Sequence, residues 1–242
     1  MIKNPNDIIE NLIGDYLKVF NDGLIGAVLY GSAVSHEYSP GRSDINFALF
    51  LKDNSISRLR NCVDTQKKWS RKGVSVPLFL TREYIMSSLD TFPIEFLDMQ
   101  SCYRLLYGED ILSTIEIEKG YLRLQCEREL KGVMLHLRSE FIRAENRADS
   151  LRKLLSFSMR KLIPLFKAIL VLNDRKIPST KYEIISAVED LYGFGASALS
   201  DVFQLSKDNK DLAGLFDRFT ALVDKITGYV DLSITQSNNG SI

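Results

Sequence analysis

Residues 24–52, LIGAVLYGSAVSHEYSPGRSDINFALFLK, decide how the rest of the chain reads. The apolar run Leu24 to Tyr30 ends in Gly31-Ser32. A polar, turn-rich segment follows, with Pro40-Gly41 near its end, and Ser43-Asp44-Ile45-Asn46 leads into a second apolar run, Phe47 to Leu51. Short apolar runs bounded by turn residues are the pattern of buried strands. Glycine lets a backbone approach a bulky anion, a serine hydroxyl can donate to a phosphate oxygen, and the N–H groups of a following helix N-terminus would add to such a site. Residues i and i+2 of a strand share a face. With the second strand running from about Ile45 to Leu51, Asp44 and Asn46 are expected to point together towards the turn that carries Ser32.

Working outward, residues 7–20 place Ile8, Ile9, Leu12, Ile13, Tyr16, Leu17 and Phe20 on one helical face, with Asn6 or Asp7 as the cap. Asn21-Asp22-Gly23 ends that helix and hands over to the first strand. After the second strand a helix is expected over Ser55 to Lys72, with Leu59, Cys62, Val63, Gln66 and Trp69 along one side and Gly73 as its stop. Val74 to Leu80 reads as a third strand, and Pro77, which cannot donate to a ladder, puts it at an edge or gives it a bulge. Thr81 caps a short helix. Residues 92–107 fit helix or strand, with a short strand from Arg104 to Tyr107. Strand and helix alternate throughout this half, as in an α/β domain.

Beyond residue 115 the strand signals stop. A long amphipathic helix is expected over 117–148, with Leu122, Cys126, Leu130, Val133, Leu137 and Phe141 at helical spacing. A second spans about 150–173, kinked or broken at Pro164. Thr180 and Glu183 form a capping-box pair for a helix to about Tyr192. Two further helical segments, about 196–206 and 209–230, precede a polar tail expected to be disordered. The expected organisation is an α/β domain over 1–114, an all-α bundle over 115–232 and a tail over 233–242.

The 242 residues are 45% apolar and 26% charged, with 31 basic and 31 acidic side chains. A zero net charge argues against a dedicated nucleic-acid binder. The balance hides a basic block: residues 120–181 carry 14 basic and 6 acidic side chains, flanked on both sides by acidic segments. Three widely spaced cysteines, Cys62, Cys102 and Cys126, form no metal or disulfide framework and suggest a cytoplasmic, reducing setting, with packing as their role. The most apolar stretch, Leu162 to Leu172, contains Lys167 and is too short to span a bilayer. His36 reads as a loop residue and His136 as a packing residue of the long helix.

The opening stretch resembles the signature of the nucleotidyltransferase superfamily, whose fold is that of DNA polymerase beta and the aminoglycoside nucleotidyltransferases. That signature is a strand, Gly-Ser, about a dozen residues, then Asp-x-Asp or Asp-x-Glu on the next strand. VPLFLTREYI and FPIEFLDMQSCYRLLYGEDIL also look like segments of bacterial nucleotidyltransferases with a helical C-terminal half. The resemblance implies an α+β nucleotidyltransferase domain with a mixed sheet followed by a helical bundle. It also implies transfer of a nucleoside monophosphate from a nucleoside triphosphate to a hydroxyl, with Mg²⁺ bridging carboxylates and phosphates. Carried over, Gly31 and Ser32 would hold the triphosphate and Asp44 would be the first metal ligand. Arg42, Ser43, Lys161 and Lys167 are further candidates to reach the nucleotide. The second ligand position falls on Asn46, and the third strand, which normally supplies a third acid, offers Ser75 and Pro77. Mg²⁺ prefers charged oxygen ligands, so a site resting on Asp44 alone implies weak or substrate-borne metal, or a substitute among Glu37, Glu95 and Asp98. Two readings stay open: a transferase acting on a small molecule or protein, and an inactive module that holds a nucleotide or a partner. Relatives with helical second halves are commonly homodimers.

Overall fold

The computed structural model describes residues 2–35, 37–41, 43–145, 147–195, 197–206 and 211–232. Arg42, His36 and the tail 233–242 lie outside the described residues. Contacts divide the chain into two compact units, Met1–Ile117 and Glu118–Ile242.

In the first unit, helix α1 (Asn6–Phe20) leads through a 3-10 turn at Asn21–Gly23 into strand β1 (Leu24–Tyr30). The capping expectation is corrected here: Pro5 occupies the cap position with no side-chain hydrogen bond, and the side-chain oxygen of Asn4 accepts the Asn6 N–H at 3.0 Å instead. β2 (Asn46–Leu51) follows the loop after β1. The helix expected over Ser55–Lys72 forms in pieces: α2 (Ile56–Leu59), a 3-10 turn at Arg60–Cys62, and α3 (Val63–Ser70). The Cys62 thiol donates to the Leu59 carbonyl at 3.1 Å within this interruption. The break turns Val63 outwards, 46% exposed, while Cys62 and Trp69 stay buried.

The third strand is shorter than expected. β3 is Leu78–Leu80, and Val74 makes only an isolated parallel bridge to Ile45. The register steps from Ile45↔Val74 to Ala48↔Leu78, so one extra residue is taken up between them. Pro77 lies in that interval and has no N–H to give a ladder. α4 (Arg82–Ser88), capped by Thr81, α5 (Pro93–Ser101) and β4 (Tyr103–Gly108) complete the unit. The sheet is mixed, in the order β3-β2-β1-β4, with β3 parallel to β2 and the other two pairs antiparallel.

Both faces of this sheet are covered, which is why β1 and, after Asn46, β2 run apolar instead of alternating. Ala27, Leu29, Phe47, Leu49 and Leu51 pack with Leu12, Tyr16 and Trp69 of α1 and α3. Val28, Ala48 and Phe50 pack with Ile85, Phe96 and Met99 of α4 and α5. Each fully buried side chain of this size contributes roughly 1.5–3 kcal/mol. Trp69 also has a polar anchor: its indole N–H donates to Asp15 of α1 at 3.1 Å, and Lys68 pairs with the same carboxylate. That pairing holds the Asp15 carboxyl below the ordinary range.

The second unit is helical: α6 (Lys119–Ala144), α7 (Ala148–Leu172), α8 (Lys181–Tyr192), α9 (Ala198–Phe203) and α10 (Leu212–Leu232). α7 is the central element and packs against the other four. It is continuous through Pro164, so of the kink or break expected there the break does not occur. The Thr180–Glu183 capping box forms at the start of α8, and Gly193 ends that helix in the left-handed region. Among the described residues no helix is long and apolar enough to cross a membrane.

Candidate nucleotide site at the end of β1

The antiparallel register pairs Tyr30 with Asn46 on one side and with Tyr103 on the other. Gly31-Ser32, which follow Tyr30, and Asp44, which precedes β2, therefore lie at the same end of the sheet. Asn46 alternates with Ala48 and Phe50, so it occupies the face that carries α4 and α5.

Gly31 adopts φ +72°, a left-handed value that costs other residues energy. Its N–H donates to the Cys102 carbonyl at 2.9 Å, and the Cys102 thiol reaches back to the Gly31 carbonyl at 3.6 Å. The Val34 N–H also donates to the Gly31 carbonyl, at 3.0 Å. Ser32 sits in the same turn, and its carbonyl accepts from both the backbone and the hydroxyl of Ser35 at 3.2 Å. A helix N-terminus was expected here. The chain supplies only a three-residue 3-10 turn, Gly31–Ala33, because Gly31 and Ser32 return their carbonyls to Val34 and Ser35.

The loop that follows is closed on itself. Ser43 donates its N–H to the Ser39 carbonyl at 2.9 Å and accepts the Ser39 N–H on its hydroxyl at 3.0 Å, around Gly41 at φ +80°. Ser43 thus has a structural use in shaping the approach to Asp44. Asp44 itself is exposed and precedes the strand. β2 begins at Asn46 and Ile45 is bridged before it, so Asp44 precedes the strand whose face Asn46 occupies. Asn46 is half-buried. The neighbouring segment contributes Ser75, whose N–H donates to the Ile45 carbonyl at 3.1 Å, and no acid.

Tyr30, Asp98 and Cys102 complete the picture. The Tyr30 phenol is pushed above its ordinary value, first by burial and second by the negative charge of Asp98 on α5. Asp98 therefore acts on the residue that joins the glycine turn to Asn46. Cys102 pins the turn through its backbone and thiol. The signal for Tyr30 was its position directly before Gly31, while Asp98 and Cys102 sat in a segment that fits helix or strand equally. Glu95 is exposed in the first turn of α5, and Glu37 lies in the loop, its N–H bonded to the Ser35 hydroxyl at 3.2 Å. Lys161 and Lys167 belong to α7 of the second unit. Lys161 lies over the Phe157 ring at 4.8 Å, and Lys167 is half-buried.

No group of three or more His, Cys, Asp or Glu among the described residues could hold an ion, and an amide at position 46 lacks the charge that offsets Mg²⁺ dehydration.

The α/β unit with its mixed sheet and the helical unit after it have the fold of the nucleotidyltransferases of the polymerase-beta type. The chain is similar to the crystal structure of spectinomycin adenyltransferase AAD(9) from Enterococcus faecialis with ATP and spectinomycin. The TM-score is 0.53 at 11% identity, covering 89% of this chain and 98% of that one. At that identity the likeness is one of fold. No family model and no curated protein matches the sequence.

Proposed function

We propose that this chain is a nucleotidyltransferase with a reduced metal site, moving a nucleoside monophosphate from a nucleoside triphosphate to a hydroxyl of a small molecule or a protein. The observation that carries the reading is the pairing of Tyr30 with Asn46. It puts a left-handed Gly31-Ser32 turn and Asp44 at one end of the sheet, in a fold shared with an adenyltransferase. In this reading Gly31 gives the triphosphate close access to backbone, Ser32 donates its hydroxyl to a phosphate oxygen, and Asp44 orients the reacting end of the nucleotide. Arg42, two residues before Asp44 in the sequence, remains a candidate to neutralise phosphate charge. No step is assigned to a protein-held metal: among the described residues no group of three or more His, Cys, Asp or Glu could hold an ion.

The second reading, a nucleotide- or partner-holding module without turnover, is favoured by Asn46 itself. An amide on β2 and an acid-free third strand are what a binding site relieved of catalysis retains.

One experiment separates them. Nucleoside triphosphates are titrated with and without Mg²⁺, and transfer of an α-phosphate radiolabel to candidate aminocyclitol and protein acceptors is followed. Transfer that is lost in Asp44→Ala supports the transferase. Metal-independent binding with no transfer to any acceptor supports the module and sinks the transferase.

A further inference from the structure

A groove of about 430 Å³ runs between α6 and α7, wholly within the second unit. Each helix contributes a stripe at i, i+4, i+7 spacing, which is one face of a helix. α6 gives His136, Glu140 and Arg143, and α7 gives Lys153, Phe157 and Arg160. The stripe holds three permanent cations against one carboxylate. Glu140 is matched to Arg143 at 2.8 Å. Lys153 and Arg160 have no carboxylate partner among the described residues. Two uncompensated cations therefore face one concave space.

The groove is not a bare charged surface. The Phe157 ring, 40% exposed, forms part of its wall, and His136 lies against it with ring centroids 5.9 Å apart. The Arg160 guanidinium is 6.0 Å from the Phe157 centroid, and Lys161, which does not line the groove, covers the ring at 4.8 Å. An apolar ligand would leave Lys153 and Arg160 unpaired. A simple inorganic anion would leave the aromatic wall uncovered. A ligand with a flat ring at one end and phosphate at the other satisfies both. The volume lies within the range of small-ligand sites, roughly 300–1,000 Å³.

We infer that the α6–α7 groove binds a nucleotide unit, with phosphate on Lys153 and Arg160 and the base against Phe157 and His136. The unit comes from a free nucleotide or from the exposed end of an RNA strand. This site uses none of the residues of the Gly31–Asn46 turn, and its occupancy does not depend on whether that turn catalyses transfer.

The test reads the groove directly. His136 is one of only two histidines, so its imidazole signal is assignable by comparison with His136→Gln. Adenosine monophosphate, a short oligoadenylate and inorganic pyrophosphate are titrated into the full chain while that signal is followed. The expected result is a saturable shift with the monophosphate and the oligonucleotide, with affinity reduced about tenfold or more in Lys153→Gln/Arg160→Gln. Phe157→Leu is expected to weaken the nucleotides while leaving pyrophosphate unchanged. Tighter binding of the oligonucleotide than of the monophosphate assigns the site to a strand end, and equal binding to the free nucleotide. No shift at His136, or equal affinity for pyrophosphate and monophosphate that ignores Phe157→Leu, overturns the proposal.

Discussion

The two edges of the candidate site are built to different standards. On the β1 side, Gly31 is held by hydrogen bonds from both of its backbone groups, to Cys102 and from Val34, and Ser32 is fixed by Ser35. On the β2 side, Asp44 is exposed, stands ahead of the strand, and is followed by an amide where a second carboxylate would complete a metal site. Under the proposed reading, phosphate recognition rests on the fixed main chain of the β1 side, and metal recognition on the charge of the β2 side. The two halves of such a site are separable, and they should fail differently when mutated.

The largest expected effect is on the β2 side. Asp44→Ala should reduce label transfer on the order of a hundredfold, about 2.7 kcal/mol of transition-state stabilisation. It should leave the unfolding midpoint within about 0.5 kcal/mol of the parent, because the side chain is exposed. If transfer is unchanged, Asp44 has no part in the chemistry, and the contrast between the two edges loses its functional meaning.

The β1 side should behave in the opposite way. Gly31→Ala adds a Cβ that meets nothing within 4 Å, so its cost is backbone strain alone, about 1–2 kcal/mol. Urea unfolding should register that loss, and nucleotide binding should weaken with it. Gly108→Ala is the upper control. It has φ +66° and its Cβ would lie 2.1 Å from the Ile25 carbonyl oxygen, where the β1–β4 edge is closed. A Gly31→Ala protein as stable as the parent would mean that the turn relaxes into another conformation, and the β1 edge would not be the rigid one.

A smaller effect is expected from restoring charge. Asn46→Asp should raise the Mg²⁺ dependence of nucleotide binding by about tenfold, the scale on which one well-placed metal-site group acts. The readout is the ratio of nucleotide affinities with and without Mg²⁺. An unchanged ratio would remove position 46 from the metal site altogether.

Much of this site was legible in the sequence because its elements are local. Leu24–Tyr30 is an uninterrupted apolar run between Gly23 and Gly31, and β1 has those bounds. Pro77 announced an irregular third strand, and the register slip beside it is the physical result. What was not legible depends on tertiary packing. Continuity of α7 through Pro164 comes from a helix that buries one face against four neighbours, which overrides the proline penalty. The reverse happened over Ser55–Lys72, where helical spacing continued but the chain turned at Arg60–Cys62 to seat Trp69 on Asp15. Asp98 was visible as a candidate acid, but only its place on the folded α5 shows that its charge acts on Tyr30.

The smallest effect is also the most local, and it reads both edges through one atom. Tyr30 is the last residue of β1, its neighbour in sequence is Gly31, and its cross-strand partner is Asn46. Burial and the Asp98 carboxylate both raise its phenol above the ordinary 10.0. In the unfolded chain that phenol ionises near 10.0, and in the folded chain it holds its proton longer. Its contribution to stability is therefore complete below pH 10 and is lost as pH rises through the folded value. Asp98→Asn removes the second cause and leaves the first, so the phenol should titrate lower, though still above its unfolded value. Asn46→Asp adds a carboxylate across the strand and should move it higher. Ultraviolet difference titration against Tyr30→Phe isolates the signal from the other tyrosines. Opposite displacements would mean that Asp98 and position 46 flank the same point, so that a carboxylate restored at 46 has a second acid within electrostatic reach. If Asp98→Asn leaves Tyr30 unmoved, α5 contributes no acid to this end of the sheet, and the β2 side has only Asp44 to offer a metal.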